Sequence, residues 1–285
     1  MTKTCLTILI LSISLMSFGQ TKKAKRDTLY TITQSRIFIK DGKPTDQFEI
    51  VNLKWADTLW RVSRDLDMEQ PNLAINNYRW FFYDKDGRIT RFERYIAQKL
   101  DRRILYRYEN GSLAQRDHYN LNGKDTVVFQ KDLISRNSNG LVSKIKVVDD
   151  KGKSIASFSY SYDAKGKEVK MKGSMKRLLD QDSVLNRQQT YSYDSLGRIA
   201  SKVVKQTKSD KSSSYTRYVY TYTNEGKLST TTRYDADSKL LGKEEIVYYS
   251  GRVSQRKIYD SNGVLVDNQA FRYRKFGASI DNDMY

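Results

Sequence analysis

The chain has 285 residues, with 51 Lys and Arg against 33 Asp and Glu, one His, one Cys, two Pro and a mean hydropathy of −0.71. This balance excludes a helical membrane protein, a disulfide-stapled fold and a zinc centre built from the usual Cys and His sets. A formal charge of +18 either attracts acidic partners or keeps a wide sheet soluble and its edges protected.

Residues 1–19 open with a short polar start containing Lys3, continue through an apolar run from Leu6 to Met16, and end with Ser17 and Gly19. That is the pattern of a secretory signal peptide cut after Gly19, and its apolar run is too short to span a bilayer. Cys5 precedes the run, so the geometry of a lipidated mature N-terminus is missing. Residues 20–76 read as an N-terminal β segment that caps a repeat array. In it, Ile37 to Lys43 forms a strand entering a turn, Trp55 to Trp60 suits a hairpin, and Pro71 marks a loop.

Residues 77–285 form the array. One phrase, clearest as Tyr191-Ser192-Tyr193-Asp194-Ser195-Leu196-Gly197-Arg198-Ile199, recurs with its glycine at 87, 111, 140, 166, 197, 226, 251 and 277. Units of roughly 24–31 residues are too short for domains and mean stacked supersecondary structure. A weaker set of turns at Tyr119 to Gly123, Asp149 to Gly152, Tyr234 to Ser238 and Tyr259 to Gly263 falls between them. One strand fits between successive turns, so the unit is a two-stranded hairpin. Asp or Asn opens each turn by bonding to the backbone ahead, and Gly supplies a positive φ. In Phe158 to Tyr162 the period of two places Phe158, Tyr160 and Tyr162 on one face and the serines on the other. Met175 to Leu185 reads as a long loop or irregular hairpin. The fold class is therefore all-β, an antiparallel meander of hairpins in a long, twisted and curled sheet, open or partly closed.

The repeated Tyr-Asp-x-x-Gly-Arg-Ile phrase resembles the YD repeat of Rhs-type proteins, over about Tyr78 to Gly277. The resemblance implies a curling antiparallel sheet, export or surface association, and a link to carbohydrate binding. In that family the sheet often forms a shell around a C-terminal toxin. Here only eight residues follow Gly277, and the prolines of the motif that ends such shells are missing, since the chain has only Pro44 and Pro71.

No catalytic constellation is visible. His118 reads as an exposed hairpin histidine, with no nucleophile elbow near it. Asp149-Asp150 and Asp281-Asn282-Asp283 lack the spaced ligands of a calcium loop, and Asp84, Asp163, Asp194, Asp235 and Asp260 are explained by their turns. No cofactor or metal is implied. The candidate site is the concave aromatic face carrying Tyr160, Tyr162, Tyr191, Tyr193, Tyr218, Tyr220 and Tyr222, where phenol rings beside Lys and Arg can stack on sugars. The same residues also suit a structural core.

The expected function is a non-catalytic, exported protein of the periplasm or cell surface. It would bind an anionic glycan or lipopolysaccharide, or act as a scaffold with another envelope protein; nucleic acid is disfavoured. One alternative is an outer-membrane β-barrel, opposed by charged strand residues such as Lys144, Lys146, Lys202 and Lys205. Others are a shell-type relative of Rhs toxins in competition or immunity, and a secreted glycan hydrolase, for which no converging carboxylates stand out.

Overall fold

The computed structural model describes residues 30–57, 59, 61–67, 77–97, 99–120, 127–175 and 184–275. The segments read as a signal peptide, the Pro71 loop, most of Met175 to Leu185, and the turns at Gly123 and Gly277 lie outside the described residues.

Among the described residues eighteen strands follow one another: β1 (Tyr30–Lys40), β2 (Lys43–Ala56), β3 (Val62–Asp67), β4 (Asn77–Tyr83), β5 (Ile89–Ile96), β6 (Lys99–Glu109), β7 (Ser112–Asn120), β8 (Val127–Arg136) and β9 (Val142–Asp149). The second half comprises β10 (Ser154–Tyr162), β11 (Glu168–Met175), β12 (Val184–Tyr193), β13 (Ile199–Lys208), β14 (Ser213–Tyr222), β15 (Leu228–Tyr234), β16 (Leu240–Tyr249), β17 (Arg252–Tyr259) and β18 (Leu265–Lys275). Each pairs antiparallel with the next, and β1 also pairs with β18 through Tyr30↔Lys275 to Arg36↔Gln269.

The sheet therefore closes into a barrel, which corrects the expectation of an open or partly closed ribbon. Curvature comes from irregularities in the ladder that recur beside the phrase tyrosines: at Phe82/Tyr83, Arg107/Tyr108, Ser161/Tyr162, Ser192/Tyr193, Thr221/Tyr222 and Val247/Tyr248. Bulges bend and twist a strand, and repeating them once per hairpin curls the whole sheet. The segment expected to cap the array supplies the seam: Gln34 Nε2 donates to Gln269 Oε1 at 2.9 Å, and Arg36 pairs with Asp267 at 3.4 Å.

The phrase builds its turn as the residues require. Asp194 N donates to the Arg198 carbonyl at 2.8 Å and Gly197 N to the Asp194 carbonyl at 2.9 Å, with Gly197 at φ 77°. Asp194 Oδ1 then accepts from Arg198 N at 2.8 Å while Oδ2 accepts from Arg198 Nε at 2.7 Å. The shortened copies are two-residue turns in which both central residues have positive φ, Asn110 with Gly111 and Ser250 with Gly251. The phrase turns among the described residues lie on one rim. The weaker set, at Asp149, Asp235 and Asp260, lies on the other.

Alternation sets the two faces. From β9 to β13 the exposed mid-strand residues Lys144, Lys146, Ser159, Lys172, Asn186 and Lys205 share one face, while Ile145, Phe158, Tyr160, Met171, Tyr191 and Val204 share the other. Side chains converge on the concave side of a closed sheet and cover one another, so the better-covered tyrosine face is assigned to the interior and the exposed lysine face to the outside. A ring of this many strands, each roughly 4.8 Å from the next, is too wide for side chains to fill. Accordingly the buried apolar side chains among the described residues are scattered: Val51, Ala56 and Leu66 lie on β2 and β3, Val147, Val148, Ala156 and Met171 on β9 to β11, with Val204 and Leu265 elsewhere.

Candidate functional site

The wall of the lumen has two kinds of tyrosine. Those of the phrase sit at the rim and clamp neighbouring hairpins. The Tyr193 hydroxyl donates to the Glu168 carbonyl at 2.6 Å, Tyr162 to Val142 at 2.6 Å, and Tyr222 to Ile199 at 2.8 Å. Tyr83, Tyr108 and Tyr248 do the same to Val62, Ile89 and Leu228. At the degenerate copy the Arg136 guanidinium takes over, donating to the Leu113 carbonyl at 3.3 Å.

Where a basic residue follows the glycine, it reaches forward. Arg88 lies over Tyr108 at 5.1 Å, Lys167 over Tyr193 at 5.2 Å, Arg198 over Tyr222 at 4.5 Å, and Lys227 over Tyr248 at 5.4 Å. Tyr108, Tyr193, Tyr222 and Tyr248 are thus each bonded to the hairpin behind and capped by a cation from that same hairpin, whereas the residue in the capping position before Tyr162 is Leu141. Tyr162, Tyr193 and Tyr222 of the expected site are therefore engaged in holding the wall. A further copy of the device lacks both Tyr and Gly: Asp57 accepts from the Leu59 and Arg61 backbone and from Arg61 Nε at 2.7 Å, and Arg61 lies over Tyr83 at 5.6 Å. The Asp-to-Arg spacing of four was its only sequence signal.

Tyr160, Tyr191, Tyr218 and Tyr220 lie deeper along the wall. Burial, followed by the nearby Tyr218, Tyr191 and Tyr222 hydroxyls, pushes Tyr220 up to about 12, so it stays neutral and able to donate. With the Gln189 amide oriented so that its nitrogen donates to Tyr191 at 2.7 Å, its oxygen accepts from Arg187 Nε and Nη2 at 2.8 and 2.9 Å. Lys202 stands 4.4 Å from the Tyr218 ring, and burial first, then Arg187, lowers its pKa.

The opposite arc carries more cations, which sequence reading missed. Register places Lys54, Asp65, Arg79, Arg94, Arg102 and Asn120 in one row across β2 to β7, all on the interior face. Arg79 Nη1 meets Asp65 Oδ2 at 3.2 Å and Arg94 Nε meets Asp101 Oδ2 at 2.6 Å. Among the described residues Arg102 has the Phe129 ring as its neighbour, 5.9 Å away. The signal was present as arginines at matching offsets in successive strands, but it needs register to be read.

His118 is corrected too. It belongs to strand β7 and its side chain is 12% exposed, with Nε2 3.0 Å from Asp132 Oδ2, which Arg116 also holds at 2.8 Å. Burial raises the Asp132 pKa, but its bonds to His118 and Gln130 and the Arg116 charge outweigh burial and leave it below the usual carboxylate range.

Two further features lie outside the lumen. A groove of about 560 Å³ opens at the rim opposite the phrase turns, between Lys205, Tyr215, Asp235 and Asp237. Facing outward on β2 to β5, Tyr78 stacks on Tyr95 at 4.5 Å, and Arg64 lies over Trp55, Tyr78 and Trp80 at 4.8–5.3 Å.

No family model matches the sequence, so none supports the YD-repeat resemblance, and no curated protein is similar to it. Among solved structures, a porin-like protein from Bacteroides uniformis is 10% identical over 87% of this chain and 97% of its own, with a TM-score of 0.42. A second, from Bacteroides vulgatus, is 9% identical over 86% and 98%, at 0.36. TcdB2-TccC3 without its hypervariable C-terminal region is 12% identical over 87% of this chain but only 16% of its own length, at 0.29. Likeness this loose transfers nothing about task.

Proposed function

We propose that this protein is a hollow β-barrel of the cell envelope, whose cationic and aromatic interior holds or passes an anionic solute. Ring closure carries the reading. A closed wall turns one aromatic face into an enclosed surface, and favours the barrel alternative over an open binding ribbon. Inside, Arg102, Lys202 and Arg187 lack any carboxylate partner among the described residues, while Tyr160, Tyr218 and Tyr220 stand nearby or along the same wall. Cations in a confined, low-dielectric cavity concentrate anions. The secretory pattern of residues 1–19 supports export.

The test is binding of sulfated oligosaccharides to the mature chain in about 10 mM salt, where the Debye length approaches 30 Å. Binding that disappears near 1 M salt supports the reading, and no binding at low salt overturns it.

Insertion into an outer membrane is the second reading, favoured by closure, by strands mostly of 8–11 residues and by the outward Trp55, Tyr78 and Trp80 group. Against it, Lys146, Lys172 and Lys205 project outward, and a Lys or Arg facing lipid at mid-bilayer costs about 2–4 kcal/mol. Conductance in planar bilayers would establish insertion, and solubility without detergent would exclude it.

A further inference from the structure

We infer that Arg79, Arg94 and Arg102 form a lumenal site for a tetrahedral oxyanion, a phosphate or sulfate ester carried on a ring-bearing solute. The inference rests on the lumenal reading above and names the place and the chemistry.

The three arginines are direct cross-strand partners, Arg79↔Arg94 and Arg94↔Arg102, on three consecutive strands. Their Cα atoms therefore span only about 10 Å. Like charges placed opposite one another on a sheet repel and destabilise it, so such a row is not explained by the fold. Elsewhere on the same interior face a cation meets an acid on the neighbouring strand, directly opposite as in Arg116 with Asp132 or diagonally as in Arg256 with Glu244.

Two carboxylates hold part of the row. Asp65 is 8% exposed, accepts from Asn52 Nδ2 at 2.6 Å and steadies Arg79, and Asp101 steadies Arg94. With Lys54 in the same row, four cations face two acids, leaving a local excess of positive charge. Arg79 and Arg94 keep 43% and 37% of their side-chain surface open, so their remaining donors reach the lumen. Planar forks of this kind suit the paired oxygens of phosphate and sulfate.

One step along the strands, toward the phrase rim, Phe81 and Phe92 are also cross-strand partners, with rings 5.3 Å apart and edge to face. They lie about 7 Å from the arginine row, the distance between same-face residues on a strand. A ring attached to the oxyanion would rest on them. The anion is held by the arginines, and the phenylalanines favour a solute with an apolar ring face over the free ion.

The experiment is calorimetry of the mature protein with glucose 6-phosphate, glucose 6-sulfate, glucose and inorganic phosphate in low salt. Both esters should bind, inorganic phosphate more weakly and glucose not at all. Arg94→Gln and Arg102→Gln should each weaken ester binding at least tenfold, whereas Arg217→Gln, an outward cation over Tyr234, should change it less than twofold. Arg102→Gln should leave the melting temperature unchanged or raise it, because it relieves repulsion. Should the sulfated oligosaccharides bind while the esters do not, or should the esters bind regardless of these two variants, this site is wrong and the lumenal reading stands. Should neither bind, the lumenal reading falls and takes the site with it.

Discussion

The Tyr193 hydroxyl donates to the backbone carbonyl of Glu168 at 2.6 Å, tying the end of one hairpin to the start of the strand in the hairpin before it. Because the same bond recurs at Tyr162, Tyr222 and Tyr248, the recurrent tyrosine of the phrase is a clamp between repeats. Tyr193→Phe removes the hydroxyl and keeps the ring under Lys167. It should lower stability by about 0.5–1.5 kcal/mol, the net worth of one such bond. Urea unfolding would show a lower midpoint at unchanged slope, and an unchanged midpoint would show that the clamp contributes nothing.

Gly197 serves the array twice. It holds φ at 77°, and its surface lets the preceding Lys167 pass close enough for Nζ to donate to its carbonyl at 3.2 Å. A Cβ there would run into Lys167 Nζ, whereas one on Gly140, at φ 75°, would meet open space. Gly140→Ala should cost about 1–2 kcal/mol from backbone strain alone. Gly197→Ala should add to this only the small cost of swinging the flexible Lys167 end aside and losing its bond to the Gly197 carbonyl, and Lys167→Ala should return that excess, which a double-mutant cycle measures. Equal effects at the two glycines would refute the crowding argument.

The hairpin meander was legible because turn chemistry is local: Asp, Gly and the flanking aromatics each act within a few residues. The alternation of Phe158, Tyr160 and Tyr162 with serines likewise stands in the wall as the period of two requires. Closure was not legible, because it depends on small bends summed over many bulges, none of which a single repeat displays. Nor was the division of the tyrosines, since Tyr191 and Tyr193 share a face and differ only in their distance from the rim. The arginine row required strand register, and His118 read as exposed because its partner Asp132 lies on the next strand.

The turn carboxylates predict an acid response. At Asp194 modest burial raises the pKa, but bonds from the Arg198 backbone and guanidinium outweigh it and hold the carboxyl below its usual range, as Arg88 does for Asp84. A group lowered on folding binds protons more weakly in the folded state, so its stabilisation is complete above the unfolded pKa and is lost as pH falls through the folded one. Thermal stability should therefore be flat from neutrality to about pH 5 and decline below about pH 4. Asp194→Asn keeps an acceptor but cannot titrate, and should shallow that decline. A decline as steep as in the parent chain would show that these turns do not contribute to it.

Closure itself can be trapped. Ser35 on β1 and Ala270 on β18 are direct partners across the seam, joining the first strand of the barrel to the last. Opposed Cα atoms in an antiparallel pair lie about 4.5–5.5 Å apart, within the range a disulfide spans. Ser35→Cys with Ala270→Cys, in a chain whose native cysteine is Cys5 alone, should oxidise within one molecule and run faster on a non-reducing gel. Closing so long a loop should also raise the unfolding midpoint, by roughly 2–4 kcal/mol of stability. An open ribbon would leave the two thiols free or link them between molecules, so dimer bands in place of the fast monomer would overturn the barrel.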